Sequence, residues 1–431
     1  MDQRPQHLQQ HARGRLGRVS WAFYDWANSS FAAIISTFVF PAYFARQVAA
    51  NETLGTAYWG QTVGIAGLLV ALCAPLLGAI ADQSGRRKPW IALFTLLCVL
   101  ATAALWWITP DSRSILPAML LAGLATLAAE FAVVFYNAML PSLTRYDRLG
   151  RWSGWAWGLG YVGGIGSLLL ALFGFVQEQS WFDLPRADSE HVRATFVLVA
   201  VWYAVFALPL FLFTPDAGGQ SKPLRRAAKD GLKQLRDSIR QARAYTPILR
   251  FLLARMLFID GLATIFAFGG VYAAGTFGMN EEQVLLFGIA LNVTAGIGAA
   301  AFAWIDDQFG SKRTILISLV GLIIPGTLLL LVESSTLFWL FGMLLGVFVG
   351  PVQAAGRSYL ARTAPLHLRN QMFGLFAFSG KATAFIGPFL VAWITAWYGS
   401  QRAGMSVIVL LLLGGFLLML SVPEEARESE S

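Results

Sequence analysis

Six ionisable side chains stand inside runs of sequence that are otherwise apolar: Asp25, Glu130, Arg255, Asp260, Arg357 and Lys381. At mid-depth in hydrocarbon such a charge costs about 2.5 to 3.5 kcal/mol, so one that is kept there calls for a partner or a purpose. A carboxylate can hold a cation or exchange a proton, because burial disfavours its charged form. A guanidinium or ammonium can hold a carboxylate or a phosphate. In FYDWANSSFAAII, Asn28 and Ser29 follow Asp25 by three and four residues on the same helical face. Asp25 lies near the start of its run and can partly snorkel towards water. Glu130 lies deeper, with Asn137 seven residues on along the same stripe, and Asp260 is near the middle of its run. Arg255, five residues before Asp260, falls on a different face. Gln353 and Arg357 share a face four residues apart, and Lys381 sits so deep in SGKATAFIGP that its stem reaches neither surface. Plainer readings stand beside these: a capping or packing role for the Asp25 cluster, and a salt bridge from Arg357 to another helix.

The elements that position these groups are membrane helices. The chain has 431 residues, 56% hydrophobic and only 13% charged, with mean hydropathy +0.59. A soluble chain of this length carries about a quarter charged residues. Apolar runs of about 20 residues recur, each long enough to cross roughly 30 Å of hydrocarbon as a helix. There are twelve. The first resembles a signal peptide in its preceding Arg13, Arg15 and Arg18, but it is too long and is interrupted by Asp25, so it reads as a retained span. Cys73 and Cys98 lie within spans at no metal or redox spacing, and a disulfide framework is not expected.

The net charge of +8 would suit nucleic acid, but the basic residues are sorted by side. With the N-terminus in the cytoplasm, 24 of the 32 Lys and Arg fall on the cytoplasmic side and 5 on the other, the rest lying within spans. This is the positive-inside asymmetry, and it places both termini in the cytoplasm. The predicted organisation is an N-tail at 1–19, six spans over 20–214, a basic linker at 215–247, six spans over 248–422 and a C-tail at 423–431. In the linker Leu232, Leu235 and Ile239 recur at helical spacing opposite Arg and Lys, which predicts an amphipathic helix on the inner membrane surface. A solvated linker is the alternative.

The two halves repeat. GAIADQSGRRKPW at 78–90 follows the second span and AWIDDQFGSKRTI at 303–315 follows the eighth, matching Asp82, Gln83 and Gly85 to Asp307, Gln308 and Gly310. Spans one, four, seven, ten and eleven carry internal charge, whereas three, six, nine and twelve carry none and suit lipid. Spans two, five, eight and eleven are rich in Gly, as in GWAWGLGYVGGIG, where small residues let helices approach. A cavity layer, a packing layer and a lipid-facing layer follow.

GAIADQSGRRKP resembles the signature loop of the major facilitator superfamily, G-x-x-x-D-x-x-G-R-R-K. The resemblance implies an all-α polytopic fold of twelve spans in two six-helix bundles. It also implies that Asp82, Gly85, Arg86, Arg87 and Lys88, with Asp307 and Gly310 in the repeat, form a conformation-dependent gate. Structural topogenesis by a basic loop is the plainer account of the Arg and Lys. FYDWANSSFAAII, YNAMLPSL, DGLATIFAFGGVYA and VQAAGRSYLARTAP followed by SGKATAFIGP are similar to the vacuole effluxer family and its bacterial relatives. That likeness implies amino-acid efflux, and the compact loops point to a bacterial inner membrane.

These features predict a secondary transporter that alternates access between two six-helix halves, with Asp25, Asn28, Glu130, Asn137, Asp260, Gln353, Arg357 and Lys381 serving substrate or coupling ion. Charges of both signs suit a zwitterion such as an amino acid, although internal ion pairs would give the same list. A proton is one driving ion, with sodium and facilitated efflux as alternatives. A ligand sensor on the same fold is the second functional reading. An enzyme is not expected: His7, His11, His191 and His367 fall in tails or loops, and no H-E-x-x-H or G-x-S-x-G occurs. GLFAFSGKAT has one residue too many for a phosphate-binding loop, and Ala382 replaces its Ser or Thr. The expected partners are a small-molecule substrate, membrane lipids and a coupling proton, with no cofactor, metal or nucleic acid, in a monomer.

Overall fold

The computed structural model describes residues 4–49, 52–216, 226, 229–233, 236–237, 245–279, 281–384 and 386–425. Among them, twelve helical segments are long and apolar enough to cross a membrane. In chain order the helices are α1 (Arg4–Ser30), α2 (Glu52–Ser84), α3 (Lys88–Ala104), α4 (Ile115–Leu143), α5 (Leu149–Ala171), α6 (Glu190–Phe213) and α7 (Thr246–Phe277). They continue with α8 (Glu281–Phe309), α9 (Ser311–Leu331), α10 (Ser335–Thr363), α11 (Arg369–Lys381), α12 (Ile386–Tyr398) and α13 (Gln401–Leu420). The eleventh span comprises α11 and α12. The first span extends α1 through π-helical turns at Phe31–Phe38 and Phe44–Val48, on either side of Val39–Tyr43. Pro41 lies between them. It has no N–H to give and its ring presses on the carbonyl four residues back, and the wider turns accommodate both effects.

Apolar stripes left exposed at helical spacing mark the surfaces that lipid would cover. On α6 they are Val197, Val201, Val205, Leu208 and Leu212, and on α3 Leu93, Leu96 and Leu100. The stripes are not confined to every third span, since α4 exposes Leu116, Leu120 and Leu124. One expectation changes in detail: Arg193, one of the five basic residues counted outside the spans on the non-cytoplasmic side, is buried in the first turn of α6, donating to the carbonyls of Asp188 and Trp106. Leu235 and Ile239, on which the amphipathic linker helix was predicted, lie outside the described residues, and Leu232 is exposed.

The chain divides into two compact units that depart from its sequence halves. The first comprises Met1–Cys73, Ser84–Met139 and Leu159–Lys222, and the second Ala74–Gln83, Leu140–Gly158 and Pro223–Ser431. The last turns of α2 and the α4–α5 junction therefore count with the C-terminal helices.

The first unit is built around aromatic residues of the opening stretch. Trp21 stacks on Tyr136 at 4.7 Å and donates to its carbonyl, and Tyr24 stacks on the same ring at 4.8 Å. Such pairs contribute about 0.5–1.5 kcal/mol beyond the area they bury. The buried Tyr24 hydroxyl is satisfied by Thr95 at 2.6 Å and Tyr203 at 3.0 Å. At Gly163 an added Cβ would lie 2.7 Å from the Trp26 carbonyl, so the Gly-rich face of α5 is what lets α1 come this close.

In the second unit α7 packs on α13, and α10 packs on both α8 and α9. Gly154 brings α5 against α8, where a Cβ would lie 2.7 Å from that of Ala303.

Candidate functional site

The two signature loops end in matched geometry. Gly85 and Gly310 have φ of +73° and +92°, a left-handed conformation that side-chain-bearing residues rarely adopt, and this accounts for glycine at both repeat positions. Each acidic partner caps a helix. The Asp82 carboxylate accepts from the main-chain N–H of Asn370 (3.0 Å) and Gln371 (2.9 Å) at the start of α11, and from the Asn370 side chain at 2.6 Å. The Asp307 carboxylate accepts from the N–H of Gly150 (2.8 Å) and Arg151 (3.1 Å) at the start of α5. A helix N-terminus has free donors and a positive dipole end, and a carboxylate answers both. The repeat thus crosses over: the second span holds the eleventh, and the eighth holds the fifth.

A second pair of caps obeys the same symmetry. Asp216, just beyond α6, accepts from the N–H of Arg87 (3.0 Å) and Lys88 (3.2 Å) at the start of α3, and the Lys88 ammonium donates to the Phe211 carbonyl. Glu425, just beyond α13, accepts from the N–H of Ser311 and, at 3.3 Å, of Lys312 at the start of α9. The Lys312 ammonium donates to the Leu420 carbonyl. Among the predicted gate residues Arg86 is exposed, Arg87 buried and Lys88 half-buried.

In the second unit these caps join a buried charge cluster. Arg362, its side chain 2% exposed, pairs with Asp306 at 2.6 Å, Asp307 at 3.1 Å and Glu425 at 3.5 Å, with Tyr146 beneath its guanidinium. Sequence reasoning missed Asp306, Arg362, Asp216 and Glu425. For the two caps the signal was a Pro followed by an acidic residue shortly beyond the sixth and twelfth spans, Pro215-Asp216 and Pro423-Glu424-Glu425.

The intramembrane residues fall into two groups. Asp25, Asn28, Glu130 and Asn137 belong to the first unit, where Asn137 is buried and the other three are half-buried. Asp260, Gln353, Arg357 and Lys381 belong to the second. Arg357, 2% exposed, donates to the Ser153 carbonyl at 2.6 Å and hydroxyl at 2.9 Å, tying α10 to α5. The Gln353 side chain donates to Val349 of its own helix.

The eleventh span breaks beside Asp260. Pro388 has no N–H and presses on the carbonyl of Ala384, so α11 ends at Lys381 and α12 starts at Ile386. The Gly387 N–H donates across to Asp260 Oδ2 at 3.1 Å. Asp260 is 3% exposed, and its other oxygen, Oδ1, has no hydrogen-bond partner among the described residues. A Cβ on Gly387 would collide with the Thr264 hydroxyl, which itself donates to the Asp260 carbonyl. One and a half turns earlier on α7, Arg255 donates to the Phe376 carbonyl and Ser379 hydroxyl, both at 2.7 Å, in the last turns of α11. Arg255 and Asp260 thus serve different ends of the break, in keeping with their different faces.

Comparison with known proteins adds the lineage. Residues 55–431 match the family model described as "Vacuole effluxer Atg22 like". The chain is 27% identical over 415 residues to a Bacillus subtilis protein described as an uncharacterized MFS-type transporter, YxiO, covering 96% of each. It is 23% identical over 449 residues to autophagy-related protein 22-1 of Phaeosphaeria nodorum, covering 88% of this chain and 78% of that one. Of the Coccidioides immitis protein 22 the match spans about half, 49%. Among solved structures, the proton:xylose symporter XylE superposes with TM-score 0.75 at 14% identity over 96% of this chain and 97% of its own. The human organic anion transporter MFSD10 does so with TM-score 0.71 at 17% identity over 94% and 99%. The Bacillus subtilis relative and both solved structures are named as transporters. The chain belongs to the Atg22-like vacuole effluxer family and has the major facilitator fold.

Proposed function

We propose that the protein is a secondary transporter that exports a small zwitterion of the amino-acid class by alternating access, driven by a proton. The observation that carries this reading is the crossed pair of caps, Asp82 on α11 and Asp307 on α5. Each joins a span from one sequence repeat to a span from the other through a few charge-assisted hydrogen bonds at a helix end. Such bonds break and re-form without disturbing the apolar core of either repeat, which is what a two-state element requires. The family name supports efflux, and XylE, named as a proton symporter, supports a proton as the driving ion. The half-buried Glu130 and the buried Asp260 are the carboxylates that would exchange that proton, with Lys381 and Arg357 as the cationic members of the substrate and coupling set. The charge asymmetry of the loops supports termini in the cytoplasm, and the compact loops support a bacterial inner membrane.

Counterflow in proteoliposomes tests the proposal. Vesicles preloaded with an unlabelled amino acid should accumulate the labelled one, and a panel of the common amino acids identifies which. Ligand-dependent thermal stabilisation without any counterflow would instead make the protein a sensor.

A further inference from the structure

The break in the eleventh span is held from one side by two opposite charges of α7. Arg255 reaches the carbonyl end of α11, where its guanidinium meets the Phe376 carbonyl and lies 3.5 Å above the Phe376 ring. Asp260 reaches the amide end of α12 through Gly387. A helix carries partial negative charge at its C-terminal end and partial positive charge at its N-terminal end, so each half-helix faces the charge that complements it. The fit is tight, since a Cβ on Gly380 would lie 3.1 Å from the Arg255 guanidinium. Asp260 Oδ1 lies beside this joint, buried and without a hydrogen-bond partner among the described residues, so it can accept a proton without breaking an existing bond.

We infer that Asp260 is the positioning residue of a proton-operated joint: charged, it holds α12 against α7 through Gly387, and a proton on Oδ1 weakens that hold and lets α12 swing about Pro388. Protonation removes the charge that complements the α12 amide end and turns a charge-assisted hydrogen bond into a neutral one of roughly half its strength. The charged side chains on the helices packed against α7 are Arg369 and Lys381 on α11, Arg357 and Arg362 on α10 and Arg402 on α13. The α8 helix is charged only at its two ends, and α12 carries no charge. Lys381, at the last turn of α11, is the one that borders the break. The inference rests on the transport reading only for the use made of the motion, and the joint is measured without substrate.

The experiment is hydrogen–deuterium exchange on the purified full-length protein, following peptides within 382–398 between about pH 5 and pH 8 and correcting for the intrinsic exchange rate. Protection at the start of α12 should fall about fivefold or more as pH is lowered, and Asp260→Asn should show the low-pH level at every pH. Asp260→Glu, which keeps the charge, should retain the pH response, and it decides the matter if Asp260→Asn does not fold. Lys381→Met should also keep the response. Protection that is independent of pH in the unmodified protein, or a pH response that survives in Asp260→Asn or vanishes in Lys381→Met, would overturn the inference. Counterflow measured in parallel separates the two readings: a pH-operated joint without counterflow refutes transport alone, and counterflow with a pH-insensitive joint refutes the joint alone.

Discussion

Asp82 and Asp307 each satisfy two main-chain amides with one carboxylate, so neutralising either leaves a helix start with weaker acceptors. Loss of such a cap costs about 0.5–2 kcal/mol. We expect Asp82→Asn and Asp307→Asn to shift the equilibrium between conformers by roughly 2- to 30-fold, while ligand affinity stays within a few-fold. Distance labels across α2 and α11 report the first quantity and equilibrium binding the second; loss of affinity with normal interconversion would place these residues in the substrate site instead. Asp25→Asn should impair transport yet keep its pH dependence, whereas Glu130→Gln or Asp260→Asn should remove it, and Lys381→Ala should weaken binding. Uptake with and without a pH gradient distinguishes them, and pH dependence lost only in Asp25→Asn would make the first helix the coupling site. Asp82 was legible because its loop repeats. Glu425 was not, because a carboxylate in a tail looks solvated until a distant helix start arrives beside it.

The elements themselves were readable from apolar length, and the Gly-rich face of the fifth span correctly indicated a close crossing. The break in the eleventh was written as Gly387-Pro388 within an unbroken apolar run, and apolar length alone passes over such a break. What no pattern in α11 and α12 could convey is that both capping charges come from α7. Filling the joint should be costly. Gly387→Ala would drive a methyl into Thr264, and overpacking of this kind costs about 1–3 kcal/mol. Pro388→Ala acts the other way, restoring the N–H needed for a continuous helix. It should raise the melting temperature and slow counterflow. A variant that is more stable and equally fast would show that the bend has no part in turnover.

For the molecule as a whole, the two compact units cut across the six-plus-six division that hydropathy alone draws, because the ends of α2, α4 and α5 pack with later helices. Single cysteines introduced at Arg226 and Lys233 should react with impermeant reagents only from the cytoplasmic side of oriented vesicles, and labelling from outside would invert the topology. The Glu425 cap has a consequence for biosynthesis. The Ser311 amide at the start of α9 meets an acceptor 114 residues further along the chain, so the ribosome delivers the ninth span to the membrane long before the group that completes its first turn. The corresponding wait for Arg87 at the start of the third span is 129 residues. Each half is therefore finished by an acidic residue just beyond its last span, and a nascent chain halted after Pro423 would hold every span yet leave α9 open at its first turn, a mark by which a membrane protease could tell it from the completed protein.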